Sequence, residues 1–464
     1  MGRGGPSKPD ARRIGAIGGA SGRAQRGVEL TVERRAETIP PVRKLLPLAL
    51  CLFACKTEPV PEAHAEGGAE RADAAVPVAE AGEVAPPEPA AQAGMIGSKR
   101  SDTCKSTMAE FAKLRTGQPA DALASFGLGY RAPESTTAAW VQATDKALAR
   151  VDDSGQALDH LAILAALDQS SGSGEPSIAE RARIDTVQLV NKVALLDMRR
   201  KFERVAKAGE PEGMPLDDLD ALLAEWDDAW CLWDGALRPL AQSIDEEGGE
   251  GWEEQIVEAF MAGRTGLIGK YDQAKVRSNR EIAEKSTYAV IQRLVLTRAS
   301  TAKQANDARV GRVALGLLAV IEDRISDRNG PGLARIQAML AGPPAEIDAA
   351  AIERELGKAF AKRARKYCDE AVKSGTLGSG EGIKGAWEGL TYSKLILPGM
   401  RETLAGQSFD ADAYMADWDS YVVAVEGNDA SGAAAISERL VQWNCAYQEA
   451  LGIAECATTS NEPG

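Results

Sequence analysis

The stretch that decides the fold class is residues 178–205, IAERARIDTVQLVNKVALLDMRRKFERV. Ala, Leu, Glu, Arg and Lys dominate it, and its apolar residues do not follow the alternation of a half-buried strand. Sequence of the same composition and pattern extends from about Lys99 to Cys456. We therefore predict an all-α protein, built as a multi-helix bundle or array.

Short polar residues and Gly-Pro clusters divide this region into helices. Predicted helix starts, where a short side chain can cap free N–H groups, lie at Ser135, Ser177 and Asp217. Predicted stops lie at 209–211, 329–331, 342–344 and 398–399, because Gly and Pro interrupt helices there. These signals predict helices of roughly 15 to 30 residues.

A faint internal similarity suggests two duplicated helical units. TVQLVNKVAL at 186–195 aligns with TYAVIQRLVL at 287–296. Trp230-Cys231 is followed by Trp252-Glu253, and Tyr367-Cys368 is followed at a similar distance by Trp387-Glu388. The pattern predicts units at 99–277 and 278–464. The alternative is a coincidence between similar helices.

Residues 55–98 form a segment of different composition, in which Ala, Pro, Glu, Gly and Val predominate. Such a sequence cannot bury enough apolar surface to offset its backbone entropy, so we predict a disordered tether. About forty flexible residues have an r.m.s. span of roughly 35 Å.

Residues 42–55, VRKLLPLALCLFAC, have the pattern of an export signal within an upstream segment, 1–54. Arg43 and Lys44 precede ten mainly apolar residues, which cover only about 15 Å as a helix and cannot span a hydrocarbon core of about 30 Å. Ala54 is the small residue before Cys55. Three alternatives stay open for the part before residue 42: translation starts near Val42, the part is a long basic n-region, or it is a disordered basic tail. The alternative to an export signal at 42–55 is a buried apolar helix.

This motif resembles the lipobox-type signal peptide of bacterial lipoproteins. The resemblance implies that Cys55 becomes the N-terminus and carries acyl chains such as palmitate, which anchor the protein to a membrane of the cell envelope. Lys56, where the retention rule of enteric lipoproteins wants Asp, favours the outer membrane over the inner one. No domain family is recognised for the mature chain.

The charge balance bears on the partner. Residues 1–54 hold ten of the 54 basic and four of the 68 acidic residues, which leaves the remainder with a net charge of about −20. Nucleic acid and anionic lipid both require a basic face, so this balance argues against them as partners. An ordinary solvated surface explains the acidic excess equally well.

The residues that usually carry chemistry are few. Of the two histidines, His64 lies in the tether, and His160 follows Asp159, which points about 100° away on a helix and cannot easily orient the ring. The glycine-rich stretch 375–385, GTLGSGEGIKG, lacks the Gly-Lys-Ser/Thr order of a phosphate loop and predicts a turn between helices. We therefore predict no catalytic, cofactor-binding or metal-binding residue.

Three tryptophans make the candidate ligand face. Trp226, Trp230 and Trp233 recur at i, i+4 and i+7, on one face of a helix predicted at 216–237, beside Asp227, Asp228 and Asp234. Such a face stacks sugars or grips a partner helix in some proteins, but in most it is core. Two interpretations are open for carboxylates such as Glu253, Glu254 and Glu258: they act as general acid and base or as metal ligands, or they belong to a solvated surface.

The cysteines after Cys55 are disulfide candidates in an oxidising compartment. They are Cys104, Cys231, Cys368, Cys445 and Cys456. We expect some to be paired, and their odd number leaves at least one thiol. Cys445 and Cys456 would lie roughly 16 Å apart along a continuous helix, too far for a disulfide, so we expect no bond between them.

Together these patterns predict an extracytoplasmic, lipid-anchored helical protein that acts as a binding or structural/interaction module with a protein partner. The shortage of chemical groups argues against an enzyme. The alternative is a carboxylate-based enzyme, or a metal- or ligand-binding periplasmic protein, that uses the tryptophan and acidic face.

Overall fold

Helices make up the fold of the described part of the chain. The structure is a computed structural model and describes residues 96–171, 176–210, 213–248 and 251–458. Within these ranges there is no β-strand, and one isolated bridge joins Val151 and Ala157. The predicted all-α fold is confirmed. The predicted tether before residue 96 and the acylation site Cys55 lie outside the described residues.

The helices are numbered in chain order. They are α1 (Asp102–Thr116), α2 (Pro119–Arg131), α3 (Thr136–Ala147), α4 (Leu158–Ser171), α5 (Pro176–Ala206), α6 (Leu219–Leu232), α7 (Arg238–Glu246), α8 (Trp252–Thr265), α9 (Gln273–Ala305), α10 (Ala308–Val320), α11 (Glu322–Ala341), α12 (Ala349–Tyr367), α13 (Glu370–Ser374), α14 (Gly380–Thr403), α15 (Ala411–Glu426) and α16 (Ala430–Ala450). A π-helical turn, Trp233–Leu237, joins α6 to α7, and short 3-10 turns lie at Pro344–Glu346, Ala405–Gln407 and Ala454–Cys456.

Side-chain caps start many of these helices. Ser101 accepts from the backbone N–H of Cys104 at the start of α1, and Ser135 accepts from that of Ala138 at the start of α3. The prediction at Ser135 is confirmed. Asp218, one residue after the predicted Asp217, caps α6. Each such bond satisfies one of the N–H groups that the first turn leaves free.

Two predicted boundaries are wrong. Ser177 is not a cap, because α5 already begins at Pro176. Pro398 does not end α14, which continues to Thr403. The proline removes one backbone hydrogen bond, but neighbours such as Ile396 and Met400 are buried, and their packing outweighs that loss.

The predicted stop at 329–331 is a kink inside α11. Asn329 has φ −152° and ψ 58°, outside the helical region. Its side-chain carbonyl accepts from Gly332 N at 3.2 Å, which caps the segment that follows, and its amide donates to the Glu355 carbonyl at 2.9 Å. The predicted stop at 342–344 is confirmed, since α11 ends at Ala341.

The 33-residue helix α9 lies at the centre of the helix array. It contacts α5, α7, α8, α10, α12 and α14. Its middle is buried on all sides, from Ala283 to Ile291. The unit boundary predicted between residues 277 and 278 falls inside this helix. The duplication itself stays a prediction.

Two disulfides join four of the five candidate cysteines. Cys104 on α1 pairs with Cys231 on α6, across a sequence separation of 127. Of the cysteines in the described ranges, Cys368 is unpaired and buried, and burial raises the pKa of its thiol. Both predictions are therefore confirmed: some of these cysteines are paired, and at least one thiol is left over.

The expectation that Cys445 and Cys456 stay unpaired is wrong, because a disulfide joins them with Cα atoms 4.9 Å apart. The error lies in the assumed continuous helix. α16 ends at Ala450, Gly452 takes φ +78°, and Glu455 takes φ +63°, so the chain turns back along the helix end. The turn brings the two sulfur atoms together.

Candidate functional site

The three tryptophans of the candidate ligand face lie in the core. Trp226 and Trp233 have no exposed surface, and Trp230 is 4% exposed. The Phe260 ring of α8 lies 5.2 Å from the Trp230 ring and 5.7 Å from the Trp233 ring, and Trp226 Nε1 donates to the Phe260 carbonyl at 3.0 Å. The indoles therefore fill the interface between α6 and α8.

The acidic residues beside these tryptophans are engaged in bonds. Asp227 is fully buried and accepts from Arg264 Nε at 2.8 Å and from the backbone N–H of Lys99 at 2.9 Å. Asp234 pairs with Arg238 at 2.8 Å. Asp227 therefore joins α6 to α8, whereas the Asp234 pair is a local contact between the π-helical turn and the first residue of α7.

The predicted carboxylates of α8 divide between two settings. Glu253 pairs with Arg238 at 2.6 Å. Glu254 and Glu258 are exposed and line a groove of about 650 Å³ that also includes the half-buried Trp387 of α14. The groove is shallow and open, which matches the wet surface expected for charges at helical spacing.

The opposite face of α6 borders a cleft of about 550 Å³ formed by α1, α3, α5 and α6, here called the four-helix cleft. Asp228 and Leu232 of α6 line it, and they lie on the side of the helix away from the three tryptophans, since successive residues are about 100° apart. Trp140 and several alanines of α3 supply an apolar wall. The volume lies in the range of small-molecule sites.

The charges of the four-helix cleft neutralise one another. Asp197 pairs with Arg200 at 2.7 Å and accepts from Trp140 Nε1 at 2.9 Å. Lys201 Nζ lies 3.4 Å from Asp228. The cleft therefore offers polar atoms on a balanced background of two positive and two negative side chains.

Thr107 provides a buried polar atom in this wall that lacks a bond among the described residues. Its side chain is 1% exposed and lines the cleft, and among the described residues its hydroxyl has no hydrogen-bond partner. Buried polar groups are usually satisfied, because an unmade bond costs about 1 to 3 kcal/mol. The residue lines the cleft, and a rotation about χ1 would turn this buried hydroxyl toward a molecule that enters it.

The start of the described chain is fastened to α6 and α8 beside the cleft. Ser98 Oγ accepts from Arg264 at 3.0 Å, and Ser101 N donates to Asp228 at 2.6 Å. The Cys104–Cys231 disulfide follows, and Cys104 also lines the cleft. These bonds fix the position of α1 as one wall of the cleft.

A second unusual region is a buried ion cluster on α9. Its centre is Lys285, 2% exposed, whose Nζ lies 2.8 Å from Glu281, 3.1 Å from Glu284 and 3.2 Å from Glu388 of α14. Glu281 has no exposed surface and Glu284 is 1% exposed. Charged groups this deep require partners, because taking them out of water is costly.

The pKa values of the three glutamates are moved apart. Burial, followed by the charge of Glu388, raises the pKa of Glu281 to about 7. Burial opposes ionisation of Glu388 as well, but Lys285 and Lys384 outweigh it and lower that pKa to about 2. The pKa of Glu284 is also lowered against the effect of burial, by Lys285, Arg199 and Arg280.

His160 lies in a structural setting. Its Nδ1 is 2.8 Å from the Tyr130 hydroxyl and its Nε2 is 3.2 Å from the Gln142 amide. Asp159 pairs instead with Arg150 at 3.0 Å, as the helix geometry predicts. Burial lowers the pKa of the imidazole. The tether histidine, His64, lies outside the described residues.

The first half of the glycine-rich stretch 375–385 is the predicted turn between α13 and α14, whereas its second half, from Gly380, belongs to α14. Gly375 takes φ +66° and Gly378 takes φ +69°, conformations that favour glycine. Ser379 then caps α14 by accepting from Gly382 N at 3.1 Å.

Neither metal-binding groups nor spanning helices occur in the described ranges. No group of three or more His, Cys, Asp or Glu side chains there has an arrangement that could hold a metal ion. No helix of the same ranges is both long and apolar enough to cross a membrane.

The sequence interpretation missed the main features of both regions. For the four-helix cleft, the signal was faint, since Thr107 and Trp140 lie on ordinary amphipathic helices. For the ion cluster a signal existed: Glu281, Glu284, Lys285 and Tyr288 recur at core spacing in the same helix as the apolar TYAVIQRLVL. No protein-family model, no curated protein and no solved structure matches this chain.

Proposed function

We propose that this protein is an extracytoplasmic, lipid-anchored helical binding module whose ligand site is the four-helix cleft. The lipobox-like residues before Cys55 support export and anchoring. The two disulfides are consistent with an oxidising compartment, where such bonds persist. The outer membrane is the proposed location, and a protein partner stays a prediction from the sequence.

The chemistry of the cleft indicates the ligand class. Its ion pairs, Asp197 with Arg200 and Lys201 with Asp228, are internally balanced, so the cleft has no unpaired charge with which to select an anion or a cation. Hydroxyl, carboxylate and indole groups lie together with an alanine wall. A small neutral molecule with several hydroxyl groups and an apolar face, as saccharides have, fits this lining.

The observation that carries the proposal is the buried, unpartnered hydroxyl of Thr107 at the wall of the cleft. An unsatisfied hydroxyl destabilises the fold, and a ligand hydroxyl within reach would remove that penalty.

The carboxylate-based enzyme is less well supported. The acids beside the tryptophans are committed to structural pairs, Asp227 with Arg264 and Asp234 with Arg238. A general acid and base require carboxylates within reach of a substrate. The binding module requires only the cleft.

The test compares wild type with Thr107→Val, which replaces the hydroxyl by a methyl group of similar size. A panel of soluble mono-, di- and trisaccharides is titrated into both by calorimetry. We expect at least one sugar to bind wild type and to bind the variant about tenfold more weakly, because one hydrogen bond is lost. Unfolding stability should stay equal or rise slightly, since the hydroxyl has no protein partner in the described ranges.

The matched control is Thr287→Val on α9, a buried threonine that donates to the Ala283 carbonyl at 2.8 Å and lies outside the cleft. It should lose some stability and keep its sugar affinity. If no sugar of the panel binds wild type, or if Thr107→Val binds as well as wild type, the cleft is not the proposed site.

A further inference from the structure

The ion cluster gathers three carboxyl groups around one buried ammonium group. Lys285 is the ammonium that lies closest to the three carboxyl groups of Glu281, Glu284 and Glu388, at 2.8 to 3.2 Å. Glu281 has the ion pair with Lys285, but among the described residues neither of its oxygens accepts a hydrogen bond of good geometry. A fully buried carboxylate left in that state would be strongly destabilising.

The neighbouring carboxyl group supplies the missing bond. Glu281 and Glu388 are neighbours, because Lys285 Nζ lies 2.8 Å from one carboxyl group and 3.2 Å from the other. A hydrogen bond from Glu281 is also among the causes that lower the pKa of Glu388. An ionised carboxylate only accepts, so two ionised groups in contact cannot bond. When Glu281 carries a proton, its O–H group donates a hydrogen bond to the Glu388 carboxylate, and both side chains then have a hydrogen-bond partner.

Five helices contribute charged or hydroxyl groups around the pair. The groups that face it are Arg280, Glu284, Lys285 and Tyr288 from α9, Arg199 and Glu203 from α5, Arg324 from α11, Arg363 and Tyr367 from α12, and Lys384 and Tyr392 from α14. Arg280 Nε lies 3.5 Å from Glu281 and 3.8 Å from Glu284, so it is not a close partner of either.

A small polar cavity leads from the surface to Glu388. It has a volume of about 120 Å³ and is lined by Glu388 and Tyr367 at its buried end. Exposed Ser374 and Glu381 line its outer end, on either side of the turn between α13 and α14. Because a water molecule takes up about 30 Å³ of liquid, there is room for a few waters between Glu388 and bulk solvent.

We propose that Glu281 and Glu388 form a binding site for a single proton, which exchanges with solvent through this cavity and controls the contact between α9 and α14. On release the O–H bond of Glu281 breaks, both electrons stay on the carboxylate oxygen, and the proton passes by way of Glu388 to a water in the cavity. Three negative charges then surround Lys285, and the repulsion between the two carboxylates weakens the α9–α14 contact.

The direction in which stability changes with pH follows from the raised pKa of Glu281. The pKa of Glu281 in the folded protein, raised by burial to about 7, lies above its ordinary value of 4.5. Protonated Glu281 therefore contributes its full stability below pH 4.5, and this contribution is lost as the pH rises through about 7. Between these values Glu281 holds a proton in the folded chain that it does not hold in the unfolded chain.

The first experiment is difference infrared spectroscopy of the full chain across pH 5 to 9, which detects the carbonyl stretch of a protonated carboxyl group. Wild type should lose the band of one buried carboxyl with a midpoint near pH 7, whereas Glu281→Gln should lack this change. The exposed control Glu438→Gln on α16 should behave like wild type. Absence of the change in wild type, or its persistence in Glu281→Gln, would overturn the proposal.

Urea unfolding provides a second readout. At about pH 6 the unfolding equilibrium constant of wild type should rise more steeply with pH than that of Glu281→Gln, by a factor approaching tenfold per pH unit for one proton. Glutamine resembles the protonated acid in shape, so the variant should fold. Equal slopes in the two proteins would show that no proton is held at this pair.

Discussion

Cys445 and Cys456 are joined across the end of α16, with Cα atoms 4.9 Å apart and a sequence separation of 11. The bond holds the last described segment against α12, where Arg365 Nε lies 3.2 Å from Cys456 Sγ. Gln448 of α16 adds a bond to the Ala457 carbonyl at 2.9 Å. The C-terminal turn is thus fixed by a short covalent loop and by polar bonds.

The two disulfides should differ in their contribution to stability. Each restricts the unfolded chain in proportion to the logarithm of the loop that it closes, which gives about 3 kcal/mol for the Cys445–Cys456 pair and about 5 kcal/mol for Cys104–Cys231. Urea unfolding compares two double variants. Cys104→Ser/Cys231→Ser should lose more stability than Cys445→Ser/Cys456→Ser. The opposite order would contradict the entropic argument.

Trp230→Ala should destabilise the protein strongly. The indole is 4% exposed and packs against Phe260 and Trp233, so its removal leaves a cavity that costs about 3 to 5 kcal/mol. Chemical unfolding measures the loss. Leu128→Ala, at a side chain 77% exposed, is the control and should change stability by less than about 0.5 kcal/mol. A stable Trp230→Ala protein would mean that the indole is not a packing element.

Glu388→Gln should change the acid side of the stability profile. The pKa of Glu388 is lowered from 4.5 to about 2, so its charge contributes stability above pH 4.5 that is lost as the pH falls through about 2. The variant should be less stable than wild type at pH 7, by roughly 3 kcal/mol, and the two should converge near pH 2. Thermal unfolding across this range tests the prediction, and parallel curves would refute it.

Processing at Cys55 is testable on material from native membranes. The lipobox-like motif predicts a mature chain that begins at an acylated Cys55, and intact-mass measurement should detect it. Cys55→Ser should abolish acylation and release the protein from the membrane fraction. Recovery of a soluble wild-type species that retains residues 1–54 would contradict the prediction.

Much of the helical fold was predictable, because its signals are local. Ser135 caps a helix where a short polar side chain precedes an apolar run, and Gly342 follows the end of α11. Pro398 was misleading, since burial of its neighbours keeps the helix intact. The turn after Ala450 was not predictable, because Glu455 and Cys456 take positive φ values that the sequence does not favour.

The candidate site was less predictable, because it depends on which helices meet. Spacing alone identified the tryptophan stripe, but not which side of α6 would border a cavity. Glu281 and Lys285 have the spacing of a solvated ion pair on an exposed helix. Their burial results from the six helices that contact α9, a long-range arrangement that the spacing of these two residues does not reveal.

The fastening of residues 98–104 also has a mechanical consequence. A pull on the chain before residue 96 first meets the Ser98–Arg264 and Ser101–Asp228 bonds, and then the disulfide at Cys104. Tension passes through that covalent link directly to α6. The disulfide thereby bypasses the chain between Cys104 and Cys231, which contributes to all four helices of the four-helix cleft. Tension from the preceding chain would therefore leave the shape of the cleft unchanged.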